Sequence, residues 1–384
     1  MKLLYIVQYW PALFIHYICR EMQWMTRRGH QIAIVALERD WSEEYVDLAG
    51  YGLKDVPVLY PRQMGEWTDG SIDDVIDFIR RHESQVIDAH SALNPGELAL
   101  RVHKATGIPY CVRMVGSDVH TRPSAMLQSI ADYAAVLCPV SEFLRNLLVA
   151  NQTDQERPSG LPINVSPDRI RIVYHGVPEK QIATTAAPQQ DGLQIIGSIG
   201  RINASKGQMD ILEAMAPLAS EFPGVRLRFI GGGVMADSLK DRAEALKIAD
   251  RVEITGHLRW TEAMRLAAGL HIYIQASKVE GLPVSSIEGI ALGVPVILSR
   301  TGVHQRCVEE NINGYLFDAG DVSSLREHIA RLLRLGALGR QRMGEASLRI
   351  ARERFVFENL MPRVESIYYA VKERRPLPDQ AGTL

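Results

Sequence analysis

The chain has 384 residues, 46% hydrophobic and 23% charged, with a formal net charge of −2 at pH 7. That length exceeds what one hydrophobic core usually serves, so two domains are expected, and the composition is that of a globular protein. The near-zero charge gives no broad field for nucleic acid, no run of ~18 apolar residues offers a membrane-spanning helix, and four scattered cysteines (Cys19, Cys111, Cys138, Cys307) support neither a zinc site nor a disulfide framework.

Free thiols suit a reducing compartment, so a cytoplasmic location is expected. The opening run Leu3–Val7 is interrupted by Gln8 and Pro11 with no small-residue cleavage site after it, which favours a strand over a signal peptide. Short apolar runs alternating with helical periodicity then predict parallel sheets built from βαβ units. In the first half the strand candidates are Lys2–Val7, Gln31–Leu37, Gln85–Ala89, Tyr110–Met114, Ala135–Pro139 and Arg171–Tyr174.

A helix over Phe14–Arg28 carries Ile15, Ile18, Met22 and Met25 on one stripe and ends in Arg27, Arg28 and Gly29. With Tyr17, Trp24 and Arg20 it is amphipathic and basic, compatible with peripheral contact on the inner face of an anionic membrane, although such stripes more often face a core. The segment Val177–Gly192, with two prolines and no apolar period, reads as a linker. Beyond it, strands are predicted at Leu193–Ile199, Arg226–Ile230, Arg251–Ile254, His271–Gln275 and Val294–Leu298. Leu360, Val364, Ile367 and Val371 then mark a helical tail that needs an apolar surface.

Two segments carry chemistry. Between the strand ending at Gln275 and the one beginning at Val294, a loop with Glu280, Gly281, Leu282 and Pro283 leads into a short helix from about Val284 that contains Glu288. Loops at the carboxyl ends of parallel strands gather ligands. A helix N-terminus suits a phosphate oxygen, and a carboxylate can accept from two vicinal sugar hydroxyls. The second segment, Gly200-Arg201 followed by Lys206-Gly207, sits after the first strand of the second half. A departing diphosphate needs its charge neutralised by a metal or by cations. The chain contains no Asp-x-Asp, so Arg201 as a planar fork and Lys206 as a point charge are the candidates. Gly231-Gly232-Gly233 follows another strand but lacks the acidic partner of a dinucleotide fingerprint.

Together, Gly200-Arg201 with Lys206-Gly207, Glu280-Gly281-x-Pro283 with Glu288, Gly293-Val294-Pro295-Val296-Ile297 and Asn313–Phe317 resemble the retaining GT-B glycosyltransferases of family 4. The resemblance implies an α/β fold of two Rossmann-like, doubly wound parallel-sheet domains facing a cleft. Residues 1–176 would bind acceptor, 177–192 link, 193–355 bind nucleotide sugar, and 356–384 carry a helix crossing back to the first domain. It implies that Arg201 and Lys206 hold the diphosphate, Glu280 the transferred sugar and Glu288 the ribose. Gly281, Leu282 and Val284 would help through their amides, His257 through a base-contacting loop, and Gly232 through a close-approach turn. His90, Arg113 and Asp118 would face the acceptor. Val115 stands where many relatives have histidine and can move no proton; Asp118, Arg113 and His120 are the nearby substitutes.

The implied activity is transfer of a hexose-type sugar from a nucleoside diphosphate, a uridine diphosphate sugar before guanosine diphosphate mannose, to a glycan or lipid-linked glycan. No metal, no separate cofactor and no nucleic acid partner are expected. The alternatives are a sugar-nucleotide epimerase of the same architecture, which would need extra acid/base carboxylates, and a binding homologue that has lost turnover.

Overall fold

The computed structural model describes all residues except 13–14, 41, 62–68, 117, 119–123, 150–162, 191, 282, 303 and 380–384. The chain divides into two compact units. One is Met1–His175 with the segment returning from Asn359, and the other is Gly176–Glu358.

The first unit holds β1 (Lys2–Tyr9), β2 (Gln31–Glu38), β3 (Val58–Leu59), β4 (Val86–Ala89), β5 (Tyr110–Met114) and β6 (Val136–Pro139). They form one sheet in the order β3-β2-β1-β4-β5-β6, parallel throughout. The second holds β7 (Gln194–Ile199), β8 (Val225–Ile230), β9 (Val252–Ile254), β10 (Ile272–Gln275), β11 (Val296–Ser299) and β12 (Gly314–Phe317), parallel in the order β12-β11-β10-β7-β8-β9. Each unit thus repeats one doubly wound topology, with its first and fourth strands adjacent where the winding reverses, the place such sheets leave for a ligand. The apolar runs are continuous because helices cover both faces; β5 and β10, for example, are buried at every residue.

Three segments differ from the sequence-based expectation. Arg171–Tyr174 is not a strand: Arg171 and Val173 donate backbone N–H groups to the carbonyls of Leu137 and Pro139. The returning bond in a parallel ladder would come from the nitrogen of Pro139, which has no hydrogen. β3 was not foreseen because it is two residues long between Pro57 and Pro61. β12 was seen as a motif and not as a strand. The stretch Val177–Gly192 is part of the second unit; its described residues include a 3-10 turn, Glu179–Gln181, and it packs there through Ala183 and Ala187 N–H groups donated to Ala291 and Gly293 carbonyls.

The helix His16–Arg27 buries Ile18, Cys19, Met22 and Met25, so the apolar stripe considered for membrane contact faces the core of the first unit. Phe14 lies outside the described residues. Among the described residues no helix is long and apolar enough to cross a membrane, and all four cysteines are free and buried.

The returning helix, Phe357–Glu373, buries Val364, Ile367, Tyr368 and Val371. It also closes a buried polar hub. Arg113 on β5 places Nη2 2.7 Å from Glu21 and 3.1 Å from Asp88 and donates to the Tyr368 hydroxyl at 2.9 Å. That hydroxyl lies 2.7 Å from Glu21 and also touches Asp88. Burial alone would raise the Asp88 carboxyl, yet Arg113 and His90 hold it far below the ordinary carboxylate range. Glu21, Asp88 and His90 come together like a metal-ligand set, but the cation the two carboxylates share is the Arg113 guanidinium. Arg113→Met should therefore destabilise the first unit by about 3–5 kcal/mol, by stranding two buried carboxylates. Tyr368→Phe should cost about 1–3 kcal/mol. Urea unfolding would measure both, and a loss below about 1 kcal/mol for Arg113→Met would contradict the hub's role.

Candidate active site

The site is built where β7 and β10 run side by side, in register through Ile196–Ile272 and Gly197–Tyr273. The loops leaving their carboxyl ends touch because of Gly207. Its φ is 69°, and a Cβ there would stand 2.0 Å from the Ala276 carbonyl oxygen, so only glycine permits the approach. The Lys278 N–H then donates to the Ser205 carbonyl at 2.8 Å. With the backbones so clamped, Lys206 Nζ lies 2.5 Å from Glu280 Oε1, with 18% and 9% of the two side chains exposed.

A buried chain of hydrogen bonds orients Glu280 from below. The Tyr273 hydroxyl donates to Gln275 Oε1 at 2.9 Å, Gln275 Nε2 to Ser277 Oγ at 2.8 Å, and Ser277 Oγ to Glu280 Oε1 at 2.6 Å. Burial pushes the Tyr273 hydroxyl up, so it stays protonated and able to donate. Among the described residues both contacts of the Glu280 carboxylate fall on Oε1.

The helix Val284–Ala291 begins four residues after Glu280, preceded by Pro283, with no side chain capping its terminus. The Ser286 N–H donates to the Pro283 carbonyl at 3.0 Å, the N–H groups of Val284 and Ser285 have no acceptor one turn back within the helix, and the macrodipole adds partial positive charge there. Gly281 is buried and Val284 half-buried at this turn, while Leu282 lies outside the described residues. Glu288 is buried one turn further along, and its Oε1 accepts from Trp260 Nε1 at 2.7 Å.

Trp260 opens the helix Trp260–Ala267, three residues after His257 in the loop following β9. His257 packs on the loop after β8: a Cβ on Gly232 would meet its ring at 2.8 Å. Arg201 is exposed in the loop after β7, where its carbonyl accepts from Gln208 Nε2 at 3.0 Å. Thus Arg201, Lys206, Gly232, His257, Glu280 and Glu288 all lie in or just beyond loops at the carboxyl ends of β7 to β10. Lys206 meets Glu280 directly, and Gly232 meets His257. Glu288 is held by a tryptophan that the sequence reading did not single out, and Ser277 was missed with it. A serine two residues past a strand carries no distinctive signal, and the indole pairing spans 28 residues of sequence.

Of the acceptor-side candidates, Arg113 is buried and committed to the polar hub. Asp118 is also buried; its carboxylate accepts N–H groups from Ala92 at 3.0 Å, Val115 at 3.1 Å and Gly116 at 2.9 Å, so it shapes the turn. His90, just past β4, sets Nε2 3.2 Å from Asp88 and stacks on Tyr5 with ring centroids 5.4 Å apart. His120 lies outside the described residues. Glu21, Asp88 and Tyr368 carry no local sequence signal, because they gather around Arg113 from distant parts of the chain.

Residues 181–349 match the family model described as glycosyl transferases group 1. The chain is 26% identical over 208 residues to the Vi polysaccharide biosynthesis protein VipC/TviE of Salmonella typhi, covering 50% of this chain and 35% of that one. It is 25% identical over 211 residues to a glycogen synthase of Mycobacterium tuberculosis, covering 54% and 51%. With the alpha-monoglucosyldiacylglycerol synthase of Streptococcus pneumoniae it shares 22% over 310 residues, covering 76% and 69%. The match thus spans between a third and about half of the first two relatives.

Among solved structures, Anabaena HepE in complex with UDP superposes with a TM-score of 0.77 at 15% identity, over 95% of this chain and 98% of that one. The sucrose-phosphate synthase of Thermosynechococcus elongatus gives 0.74 at 14% identity, over 97% and 100%. The fold is the GT-B fold of two doubly wound domains. Through residues 181–349 the chain is similar to the glycosyl transferases of group 1.

Proposed function

We propose that the chain transfers a sugar, with retention of anomeric configuration and without a metal, from a nucleoside diphosphate sugar to a glycan or lipid-linked glycan acceptor in polysaccharide or glycoconjugate biosynthesis. The observation that carries this reading is the Lys206–Glu280 pair at the β7/β10 switch point, just ahead of the open N-terminus of the Val284–Ala291 helix. A cation and the N-terminus of a helix suit a diphosphate, and a carboxylate beside them suits the hydroxyls of the attached sugar.

In this reading Lys206 and Arg201 take up the charge that develops as the anomeric carbon–oxygen bond to the diphosphate breaks. Glu280 accepts hydroxyls of the transferred sugar, and Glu288, oriented by the Trp260 indole, accepts those of the ribose. The acceptor oxygen bonds to the anomeric carbon on the face the diphosphate leaves, and its proton passes to a diphosphate oxygen. Such a step requires no protein nucleophile, so Val115 removes a binding group without removing a base. A uridine donor is favoured because HepE, of the same fold, is crystallised with UDP and with UDP-glucose. The polysaccharide and glycolipid names of the relatives favour a glycan or lipid-linked acceptor.

A thermal-shift panel of nucleoside diphosphates should raise the melting temperature with one base far more than with the others, by mass action on the folded state. Labelled donor incubated with mixed acceptors should then yield a glycosylated acceptor. Epimerised donor, or donor returned unchanged, would replace the reading with the epimerase or the binding homologue.

Glu280→Ala should lower kcat by about 100-fold while the affinity for the nucleoside diphosphate changes less than about threefold. Lys206→Met should weaken that affinity by about tenfold. A Glu280→Ala enzyme with normal turnover and only weaker binding would remove the role given to the carboxylate.

A further inference from the structure

His304 belongs to none of the motifs above, yet it is wholly buried at the back of the site, in the short helix His304–Cys307 that follows β11. Its Nδ1 lies 2.7 Å from the Ser299 carbonyl oxygen. A carbonyl only accepts, so Nδ1 carries the ring's proton and Nε2 is an acceptor in the neutral ring. Nε2 lies 2.8 Å from Ser286 Oγ, which fixes that hydroxyl as the donor. Ser299 in turn donates its own hydroxyl to the Ser277 carbonyl at 2.6 Å. One imidazole therefore joins three parts: the end of β11, the third residue of the Val284–Ala291 helix, and, through Ser299, the turn that carries Glu280.

This connection stands in for a missing one. A helix N-terminus is ordinarily held by a capping serine, threonine, aspartate or asparagine. Here Pro283 occupies the cap position and offers no such bond. Ser286 to His304 is a side-chain hydrogen bond that ties the first turn to the end of β11, and it is made between residues with no solvent exposure.

We propose that His304 is a positioning residue, which fixes the N-terminus of the Val284–Ala291 helix and the Ser277–Glu280 turn relative to the end of β11. Its consequence for catalysis rests on the donor-site reading above; its positioning role does not.

The electrostatics of the pocket support a neutral ring. Burial pushes the His304 pKa down to about 4 from an ordinary 6.5, while Glu280 opposes that shift and Lys206 adds to it. The folded state thus binds the proton more weakly than the unfolded chain. The stabilisation is complete above about pH 6.5 and is lost as pH falls from there toward about 4. His271, lowered chiefly by burial, acts with the same sign.

Hydrogen–deuterium exchange on the ligand-free chain tests the proposal directly. In His304→Leu the amides of 284–288 and 276–281 should exchange about tenfold faster or more, while the β7 amides keep their protection. Ser286→Ala, which removes a single hydroxyl, should loosen 284–288 alone and serves as the milder variant if His304→Leu does not fold. His304→Asn, which keeps a donor toward the Ser299 carbonyl, should restore protection at 276–281 more than at 284–288. Protection unchanged in both His304→Leu and Ser286→Ala, or lost evenly across the whole second unit, would overturn the positioning role.

Titration with a nucleoside diphosphate, the same probe for each variant, should show affinity weakened by about tenfold in His304→Leu. If the wild type binds none, the donor-site reading fails while the exchange result still decides the role of His304. Melting curves taken from about pH 7 down to about pH 4.5 should fall more steeply for the wild type than for His304→Asn, which has no ring to protonate.

Discussion

The second unit depends on one close approach. Parallel strands place the ends of β7 and β10 about 5 Å apart, but their loops would diverge if both carried side chains at the contact. Gly207 lets the backbone after β7 rest on the Ala276 carbonyl, and the Lys278 to Ser205 hydrogen bond closes the join. Lys206 and Glu280 then meet without either side chain crossing open solvent. The polar chain from Tyr273 through Gln275 and Ser277 holds the carboxylate, and the His304 contacts hold the ground on which that chain stands. A change in any of these buried groups acts on Glu280 through geometry and not through contact with a ligand.

The two units use one strand order for different ends. In the first, ionisable groups are drawn into the core: Glu21, Asp88, Arg113 and Tyr368 satisfy one another beneath the sheet ends. Because Tyr368 comes from the returning C-terminal helix, this hub also fastens the last part of the chain to the first unit. In the second unit Arg201, Lys206 and Glu280 stay in loops at the carboxyl ends of the strands. The contrast explains why Arg113, which stands in a segment resembling a substrate-facing motif, is spent on structure. A guanidinium between two buried carboxylates is strongly held, and withdrawing it would leave two uncompensated charges.

What the sequence made legible follows from the range of the forces involved. Strands such as Tyr110–Met114 and helices such as Val284–Ala291 announce themselves by local apolar runs and breakers; the strand was placed at its observed bounds and the helix at its observed start. The loops carrying Lys206 and Glu280 were legible because strand, turn and helix follow one another in sequence. The Lys206–Glu280 contact was not, since it spans 74 residues and is made by the Gly207 approach. The same holds for Trp260 with Glu288 and for His304 with Ser286, partners 28 and 18 residues apart. Arg171–Tyr174 failed for a different reason: its composition suits a strand, and a missing N–H on the neighbouring Pro139 prevents the ladder. Such a veto lies in the partner and is invisible in the segment itself.

The ion pair also bears on how the loops after β7 and β10 stay stable. An ammonium group held in a partly buried loop costs free energy unless an anion lies beside it, and Glu280 supplies that anion. On the proposed function, an arriving diphosphate offers Lys206 a more highly charged partner, and the lysine can turn to it by rotating a flexible stem. Glu280 is then released from its cation but keeps the Ser277 hydrogen bond, so the carboxylate remains aimed while its acceptor capacity becomes free for sugar hydroxyls. A nucleoside diphosphate without a sugar would break the pair and leave the carboxylate with less compensation than the full donor provides. On the proposed function, the same pair therefore favours the donor whose two halves, phosphate and sugar, satisfy cation and carboxylate together.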